Sequence, residues 1–500
     1  MSGESIYDLL VIGGGINGVG VARDAVGRGL SVCLCEQDDL AGHTSSASSK
    51  LIHGGLRYLE QYDFGLVRHA LQERQHLLHI APHIVHPLRF VLPHHASLRP
   101  QWLIRLGLFL YDRLAGTGPL PGSKGIKLAG HPAGEALKPV YGRGFEYSDC
   151  AVQDARLAVL NAVDAGLRGA VIRTRTRCTG LRRHPTHWDV TLQAEEGGAA
   201  ERVRAKALVN AAGPWVEQVD RLGGISGSGH RIRYVKGSHI VVPSLFPPDY
   251  AYVFQNPDRR VLFAIPFERE YTLLGTTEIE LEQLPETVRI TPQETDYICQ
   301  SVSRYLRQPV YPEDAVWSFS GVRPLYDDGP KSASKVSRDY HLQLDRELAP
   351  ILSIHGGKLT TYRRLAEESM ALLSNVLPNL GKPWTDSACL PGGDLPGGDF
   401  EAFLAACLER YAQFPPSLVT RYAGHYGSRI DRLLEQCPGI EALGYHFGNQ
   451  LFEREVNYLV ENEFAETADD IVWRRTRCGL GMSIPEIAYL QQWLSARNPG

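Results

Sequence analysis

The run Leu9-Leu-Val-Ile12, followed without a spacer by Gly13-Gly-Gly15-Ile-Asn17-Gly18, constrains the start of this chain more than any other feature. A four-residue apolar run suits a buried strand, glycines suit a tight turn, and Val19 to Arg28 has helical composition up to Gly29. Leu30-Ser-Val-Cys-Leu-Cys35 reads as a second buried strand ending in Glu36, which completes a βαβ unit of the dinucleotide-binding kind. Each glycine has its own task there. Gly13 permits the sharp turn, Gly15 lets backbone N–H groups approach a pyrophosphate, and Gly18 allows close packing of helix on strand. The helix N-terminus adds partial positive charge. Glu36 is placed to accept hydrogen bonds from a ribose 2′-hydroxyl and would repel a 2′-phosphate. Glycine makes up 50 of the 500 residues, so the spacing alone also fits a structural turn; the flanking strand and acid favour the dinucleotide.

A chain of 500 residues exceeds what one core organises, and two or three domains follow. Two later apolar runs also feed small-residue turns: Ala207-Leu-Val-Asn210 enters Ala211-Ala-Gly213-Pro-Trp215, and Ile351-Leu-Ser-Ile-His355 enters Gly356-Gly-Lys358-Leu-Thr360. The nucleotide domain is therefore expected to be discontinuous. Between about 235 and 335, strand-like runs at Ser238–Val242, Val261–Ile265 and Tyr271–Leu274 predict an inserted, substrate-facing sheet. The doubled L-P-G-G of Leu390–Gly398 reads as a linker, with helical sequence beyond it. Lysine and arginine (52) nearly balance aspartate and glutamate (56), a net charge of −4, so no broad positive field exists for a nucleic acid. Nine cysteines without a C-x-x-C pair fit a reducing compartment and no metal finger, and Cys33 and Cys35, two apart on one strand, read as core. With no signal-like N-terminus and no apolar run of roughly 18 residues, the expectation is a cytoplasmic protein, or one attached to a membrane from that side.

Thr44-Ser-Ser-Ala-Ser-Ser-Lys50 precedes Leu51-Ile-His53-Gly-Gly55-Leu-Arg57-Tyr58. Small hydroxyls can bond phosphate oxygens, and the His-Gly-Gly step would let backbone pass close to a flat ring; a solvated serine loop is the plainer alternative. Together with V-I-G-G-G-I-N-G, the stretch from Thr44 to Glu60 resembles the FAD-dependent glycerol-3-phosphate dehydrogenase family. The likeness continues through Phe145–Cys150, Asp154-Ala-Arg156-Leu157, Val209–Trp215, Lys236–Val242, Gly275-Thr-Thr277, Ser320–Leu325 and Gly356–Tyr362, nearly the whole chain.

The resemblance implies an α/β (α+β overall) architecture: a Rossmann-like FAD-binding domain of the glutathione-reductase and amino-acid-oxidase kind, an antiparallel-sheet substrate cap and a helical C-terminal domain. On that basis the FAD-binding domain is placed at 1–80, 145–235 and 335–389, the cap at 81–144 and 236–334, the linker at 390–399 and the helical domain at 400–500. It further implies electron flow from glycerol 3-phosphate through FAD to membrane quinone, peripheral attachment to the inner face of the cytoplasmic membrane, and admits a homodimer. A glycerophosphate oxidase using oxygen shares the motifs, and a non-catalytic flavin-binding regulatory protein is the reading from another class. Cofactor contacts are expected from Gly13, Gly15, Asn17, Gly18, Glu36, Thr44, Ser45, Ser49, Leu51, His53, Gly55, Ala212, Gly213, Trp215, Gly321, Gly357, Lys358, Leu359 and Thr360; no metal is called for.

Residue chemistry supplies the substrate side. A phosphorylated polyol carries close to two negative charges and favours guanidinium forks and lysine ammoniums. Arg57, Arg323 and Lys358 lie in the matched motifs and Arg338 between two of them, all four candidates for the phosphate, with Tyr58 and Thr276 as further substrate contacts; Arg323, in S-G-V-R-P, is expected to face a cavity. Removing a hydroxyl proton as hydride leaves carbon calls for a base, and histidine is the natural type. His239, in K-G-S-H, is the candidate base; His53 is expected beside the flavin as an orienting group, and His355 as a packed strand residue. Arg99–Arg113 mixes Trp102, Ile104, Leu106, Phe109 and Leu110 with arginines, a composition that favours a buried cap helix over an interfacial one; the resemblance implies peripheral membrane binding without assigning it to this segment. The cluster Trp473-Arg-Arg-Thr-Arg477 reads as a solvated or salt-bridged helix face.

Overall fold

Two sheets, each assembled from strands far apart in the chain, organise the part before Leu390. They are seen in a computed structural model that describes residues 6–61, 63–95, 98–116, 118–194, 198–225, 231–258, 260–327, 339–377 and 380–497. In the first sheet five parallel strands lie in the order Ile351–His355, Glu201–Asn210, Ile6–Ile12, Val32–Cys35, Val171–Arg173. His341–Asp345 adds an antiparallel edge, and a hairpin of Thr176–Arg183 and Trp188–Ala194 pairs with the start of Glu201–Asn210. Leu9, Leu10 and Val11 are fully buried, which is why the strand reads as a continuous apolar run: both faces of a parallel sheet are covered. The helix Ile16–Gly27 covers it and packs against Asp154–Leu167 and Tyr362–Leu373. Cys33 and Cys35 are core residues, as the alternation required.

The second sheet runs Ile279–Leu281, Arg231–Pro243, Tyr271–Gly275, Val261–Phe267, Tyr250–Gln255, Val85–His94, Arg143–Val152, Leu51–Ile52. Trp317–Asp327 pairs antiparallel along the full length of Arg231–Pro243 up to Val241. One parallel contact, Tyr250–Tyr252 beside Arg89–Val91, joins the late hairpins to the early strands. The three strand runs read between 235 and 335 are all present and extend one to seven residues further at their ends. Arg143–Val152 belongs to this second sheet, hydrogen-bonded to Val85–His94.

Beyond the second sheet the chain is helical: Phe400–Arg410, Pro416–Tyr426, Glu453–Glu463 and Ile484–Arg497 surround a separate core containing Tyr422, Leu433, Leu451, Leu459 and Leu490. The Leu390–Gly398 connection is packed rather than loose. Leu390 and Leu395 are buried, and Gly392, at φ +90°, presses on the Tyr426 carbonyl, where no side chain fits. The helix Gln101–Ala115 reverses the compositional expectation. It buries Leu108 and Tyr111 and turns Trp102 (68% exposed), Leu103, Leu106, Phe109 and Leu110 outward.

Candidate functional site

At the C-terminal ends of the parallel strands, the first turn forms as its glycines require. Gly13 sits at φ +114°, and a Cβ there would lie 2.5 Å from the Ala211 oxygen; a Cβ on Gly18 would overlap the Gly13 carbonyl. Among the described residues a Cβ on Gly15 would meet just Ser45 Oγ, at 3.1 Å, and that hydroxyl accepts the Ile16 amide at 2.9 Å. Beside the turn lies a cavity of about 400 Å³ lined by Gly13, Gly15, Glu36, His43, Thr44, Ser45, Ala212, Gly213, Pro214 and Trp215. Trp215 meets the His43 ring edge-on at 4.6 Å. Glu36 is buried at the strand end; its carboxylate accepts the Gly14 amide, and the Asp38 amide at 2.9 Å. Burial pushes that carboxyl up, against the pull of the two amides.

The third strand end closes over the same turn. Asn17 Nδ2 donates to the Gly356 carbonyl at 3.1 Å, and Gly357, at φ +108°, leaves no room for a side chain beside Asn17. Asn17 Oδ1 is buried with no hydrogen bond among the described residues, an acceptor that a ligand would satisfy. Thr360 Oγ1 accepts the His53 amide at 3.4 Å, and Lys358 Nζ lies 3.8 Å above the Tyr58 ring. The His53-Gly54-Gly55 turn is anchored from below: Gly54 donates to Tyr111 Oη at 2.8 Å, Tyr111 donates to Asp149 at 2.8 Å, and Arg74 pairs with Asp149 at 2.6 Å. Leu51 is buried in its short strand, and Leu359 packs on the main core.

The second sheet contributes the polar face opposite. Thr44 Oγ1 donates to the Val322 carbonyl at 2.7 Å, and Gly321 lies against Ala47, so Trp317–Asp327 rests on the serine loop. Arg323 Nη2 donates to Thr276 Oγ1 at 3.1 Å; a Cβ on Gly237 would lie 2.6 Å from that nitrogen, so the glycine of K-G-S-H makes room for the guanidinium. His239 is buried, its Nε2 3.0 Å from Ser49 Oγ and its ring stacked on Phe319 at 4.9 Å. Burial, with the Arg323 and Lys50 charges, holds the imidazole well below its ordinary value, so it is neutral at working pH. His239 Nδ1 has no hydrogen bond among the described residues. His355 is buried in its strand, 5.9 Å from the Tyr326 ring.

Two parts of this site were not singled out in the sequence. Lys50 is buried, 2.9 Å from Asp154 and 4.6 Å from the Phe319 ring centre, and burial holds its ammonium down to about 8. Glu294 accepts Ser238 and Thr277 hydroxyls at 2.8 Å and pairs with Lys236 at 2.7 Å. Burial would raise its carboxyl, yet Lys236 and the two hydroxyls hold it below the usual range. Nothing in the sequence marks Lys50 as buried; Thr291-x-x-Glu294 is a capping box that marks Glu294 as part of a helix start and not as part of the site. The Arg57 side chain and Arg338 lie outside the described residues. Of the two readings left open for the Trp473–Arg477 cluster, the salt-bridged one holds: Arg474 and Arg475 both bond Asp39, Arg475 is fully buried, and Arg477 pairs with Glu268 at 2.6 Å.

Residues 8–363 match the FAD dependent oxidoreductase family, and 384–491 match the C-terminal domain of alpha-glycerophosphate oxidase. A glycerol-3-phosphate dehydrogenase of Pseudomonas aeruginosa is 50% identical over 99% of this chain and 96% of its own. A D-erythritol 1-phosphate dehydrogenase of Brucella abortus is 48% identical over 100% and 99%. The structure of the glycerol-3-phosphate dehydrogenase from Bacillus halodurans complexed with FAD superposes with a TM-score of 0.76 at 28% identity, covering 99% of this chain and 91% of that one. The glycine turn, the 400 Å³ cavity and the orphaned Asn17 oxygen suit the same cofactor. With likeness spanning both the nucleotide fold and the helical domain, the chain belongs to the FAD-dependent glycerol-3-phosphate dehydrogenase family.

Proposed function

We propose that the protein oxidises the C2 hydroxyl of sn-glycerol 3-phosphate to dihydroxyacetone phosphate and passes the electrons to a membrane quinone. The observation that supports this most directly is the placement of a cation held by Thr276 beside a buried, neutral histidine: Arg323 for the phosphate and His239 for the hydroxyl. The glycine turn, Glu36, Ser45 and the Gly356-Gly357 turn would hold FAD, which when bound would supply the acceptor for the C2 hydride.

Arg323 and Lys358 bind the phosphate dianion, with Arg57 and Arg338 as further cations. With the imidazole proton on Nε2 and donated to Ser49, the Nδ1 lone pair of His239 takes the hydroxyl proton. Arg323 and Lys50 oppose a second positive charge on that ring, and the arriving dianion offsets them, so the base gains strength when substrate is present. Lys358 adds positive charge where the Gly356-Gly357 turn would meet the flavin.

A second reading has an observation of its own, the 48% identity to a D-erythritol 1-phosphate dehydrogenase. That substrate carries one more hydroxylated carbon on the same phosphate chemistry, so the two are separated by comparing kcat/KM for each. No helix among the described residues is long and apolar enough to cross a membrane. The outward face of Gln101–Ala115, with Trp102, Leu106 and Phe109 exposed, suits an interfacial position on the inner face of the cytoplasmic membrane, where quinone is available. The deciding experiment is anaerobic titration of the purified flavoprotein with glycerol 3-phosphate, then quinone. Bleaching of the flavin and its recovery on quinone support the reading; an unbleached flavin refutes the substrate, and stoichiometric peroxide in air would point to an oxidase.

A further inference from the structure

The helical C-terminal domain contributes none of the groups assigned above to substrate or cofactor, yet one of its segments runs directly beneath them. Asp470–Arg475 is a π-helix, an energetically poor backbone form that tends to mark functional positions. From it Trp473 stacks on Trp317 at 5.0 Å and 11° between planes; Trp317 tilts on Phe319 at 5.0 Å; Phe319 stacks on His239 at 4.9 Å and 17°. Four rings thus connect the C-terminal domain to the candidate base without a gap. A polar route runs beside them. Arg477 lies 3.5 Å from Asp154, which is bonded to Ser48 Oγ at 2.7 Å and Lys50 Nζ at 2.9 Å, and Lys50 sits over the same Phe319 ring. Ser49, between those two residues, is the partner of His239 Nε2. Arg477 also pairs with Glu268 on the turn between Val261–Phe267 and Tyr271–Gly275, and so ties the cap to the start of the helix Asp154–Leu167.

We propose that Trp473 and Arg477 are positioning residues for the reaction: they fix the ring plane of His239 and the Ser48–Lys50 loop from a domain that supplies none of the groups assigned to substrate or cofactor. The physical case is geometric. A proton acceptor must hold its lone pair on the hydroxyl within a few tenths of an ångström, and a stacked ring fixes the plane of its neighbour. Ser49 fixes only one ring nitrogen of His239, which leaves rotation about that hydrogen bond to be limited by Phe319. Phe319 in turn is wedged between Lys50 and Trp317; Trp473 stacks on Trp317, and Arg477 shares with Lys50 the carboxylate of Asp154. The charged or titratable groups facing Lys50 are Asp154, Arg477, Glu268 and, across Phe319, His239.

The inference rests on the assignment of His239 as the base, and its test is built to fail separately. Wild-type holoenzyme is mixed anaerobically in a stopped flow with glycerol 3-phosphate, or with D-erythritol 1-phosphate if the first does not bleach the flavin; this settles substrate before any variant is compared. Trp473→Ala and Arg477→Met are then run with the substrate that works. Flavin-reduction rate should fall roughly ten- to a hundredfold in each, with the half-saturating substrate concentration changed less than about threefold and FAD retained. Trp473→Phe and Arg477→Lys should recover much of the loss. Because Arg477 holds the Lys50 ammonium down, Arg477→Met should also move any alkaline limb of the rate set by Lys50 to higher pH. Should Trp473→Ala lose FAD, Trp473→Phe and Arg477→Met decide the matter. Folded, flavin-loaded variants with wild-type reduction rates and pH profiles would show that the segment merely joins domains, and would overturn the proposal even if their melting temperatures fell.

Discussion

Replacing Asp470 with asparagine tests the electrostatics of the π-helix by itself. The carboxylate is completely buried, accepts the Glu466 and Thr467 amides at 2.9 Å each, and pairs with Arg175 at 2.7 Å and with Arg474. Burial pushes its carboxyl up, but the Arg474, Arg475 and Arg175 charges outweigh that and hold it at about 2, from an ordinary 3.8. At about 1.4 kcal/mol per pKa unit, the depression corresponds to about 2 kcal/mol of folding stability. Because the folded value lies below the unfolded one, this contribution is complete above the ordinary aspartate range and disappears as pH falls toward 2. Asparagine keeps the shape, but its NH₂ must face either the two amides or the guanidiniums, leaving a buried donor unmatched at about 1–3 kcal/mol. Asp470→Asn should therefore lose about 3–5 kcal/mol at pH 7 by urea unfolding of the C-terminal domain, and the gap should narrow by about 1 kcal/mol at pH 3. A loss below about 1 kcal/mol at pH 7, or a gap that stays constant on acidification, would refute the account of a charge held by three arginines.

Three further outcomes separate the parts of the site. Gly13→Ala, which forces a Cβ to 2.5 Å from the Ala211 oxygen at a φ of +114°, should yield apoprotein, and a normal flavin absorbance per chain would contradict the assigned turn. Arg323→Ala should retain FAD while raising KM and lowering kcat, a combined loss of about a hundredfold or more in kcat/KM; an unchanged kcat/KM removes Arg323 from the substrate site. Trp102→Glu with Phe109→Glu, both on the exposed face of Gln101–Ala115, should abolish sedimentation with anionic vesicles and leave turnover with a soluble acceptor intact. Binding that survives both charges would place the membrane contact elsewhere.

What could be read from the sequence was whatever has a local signature. The strand, glycine turn, helix and acid from Leu9 to Glu36 form a unit whose parts are adjacent in the chain, and all four appear where the pattern put them. The late strands alternate or run apolar, and they too were legible. Arg143–Val152 shows the limit: it mixes Arg143, Glu146 and Asp149 with apolar residues and matches neither sheet's pattern, and only pairing with Val85–His94 decides which one it joins. Lys50, Asp154 and Arg477 come from three distant segments, and a buried charge is recognisable only once its partner is. For the same reason the choice between a solvated and a salt-bridged face for Trp473–Arg477 is not legible, since a sequence shows three arginines and not the Asp39 and Glu268 that pair with them. Helix Gln101–Ala115 failed differently: its composition matches a core helix, and only its orientation shows that most of its apolar side chains face outward.

The interleaving of the two sheets has a consequence for the order in which the chain leaves the ribosome. Leu51–Ile52, Val85–His94 and Arg143–Val152 emerge early but wait for Tyr250–Gln255 to continue their sheet, while Glu201–Asn210 waits for Ile351–His355. The second sheet lacks a strand until Asp327 is made and the first until His355, and an incomplete sheet is the state most prone to pairing with another nascent chain. A chain stalled before Asp327 therefore has both sheets incomplete, and the two close in turn, the inserted sheet first and the parallel sheet only with His355.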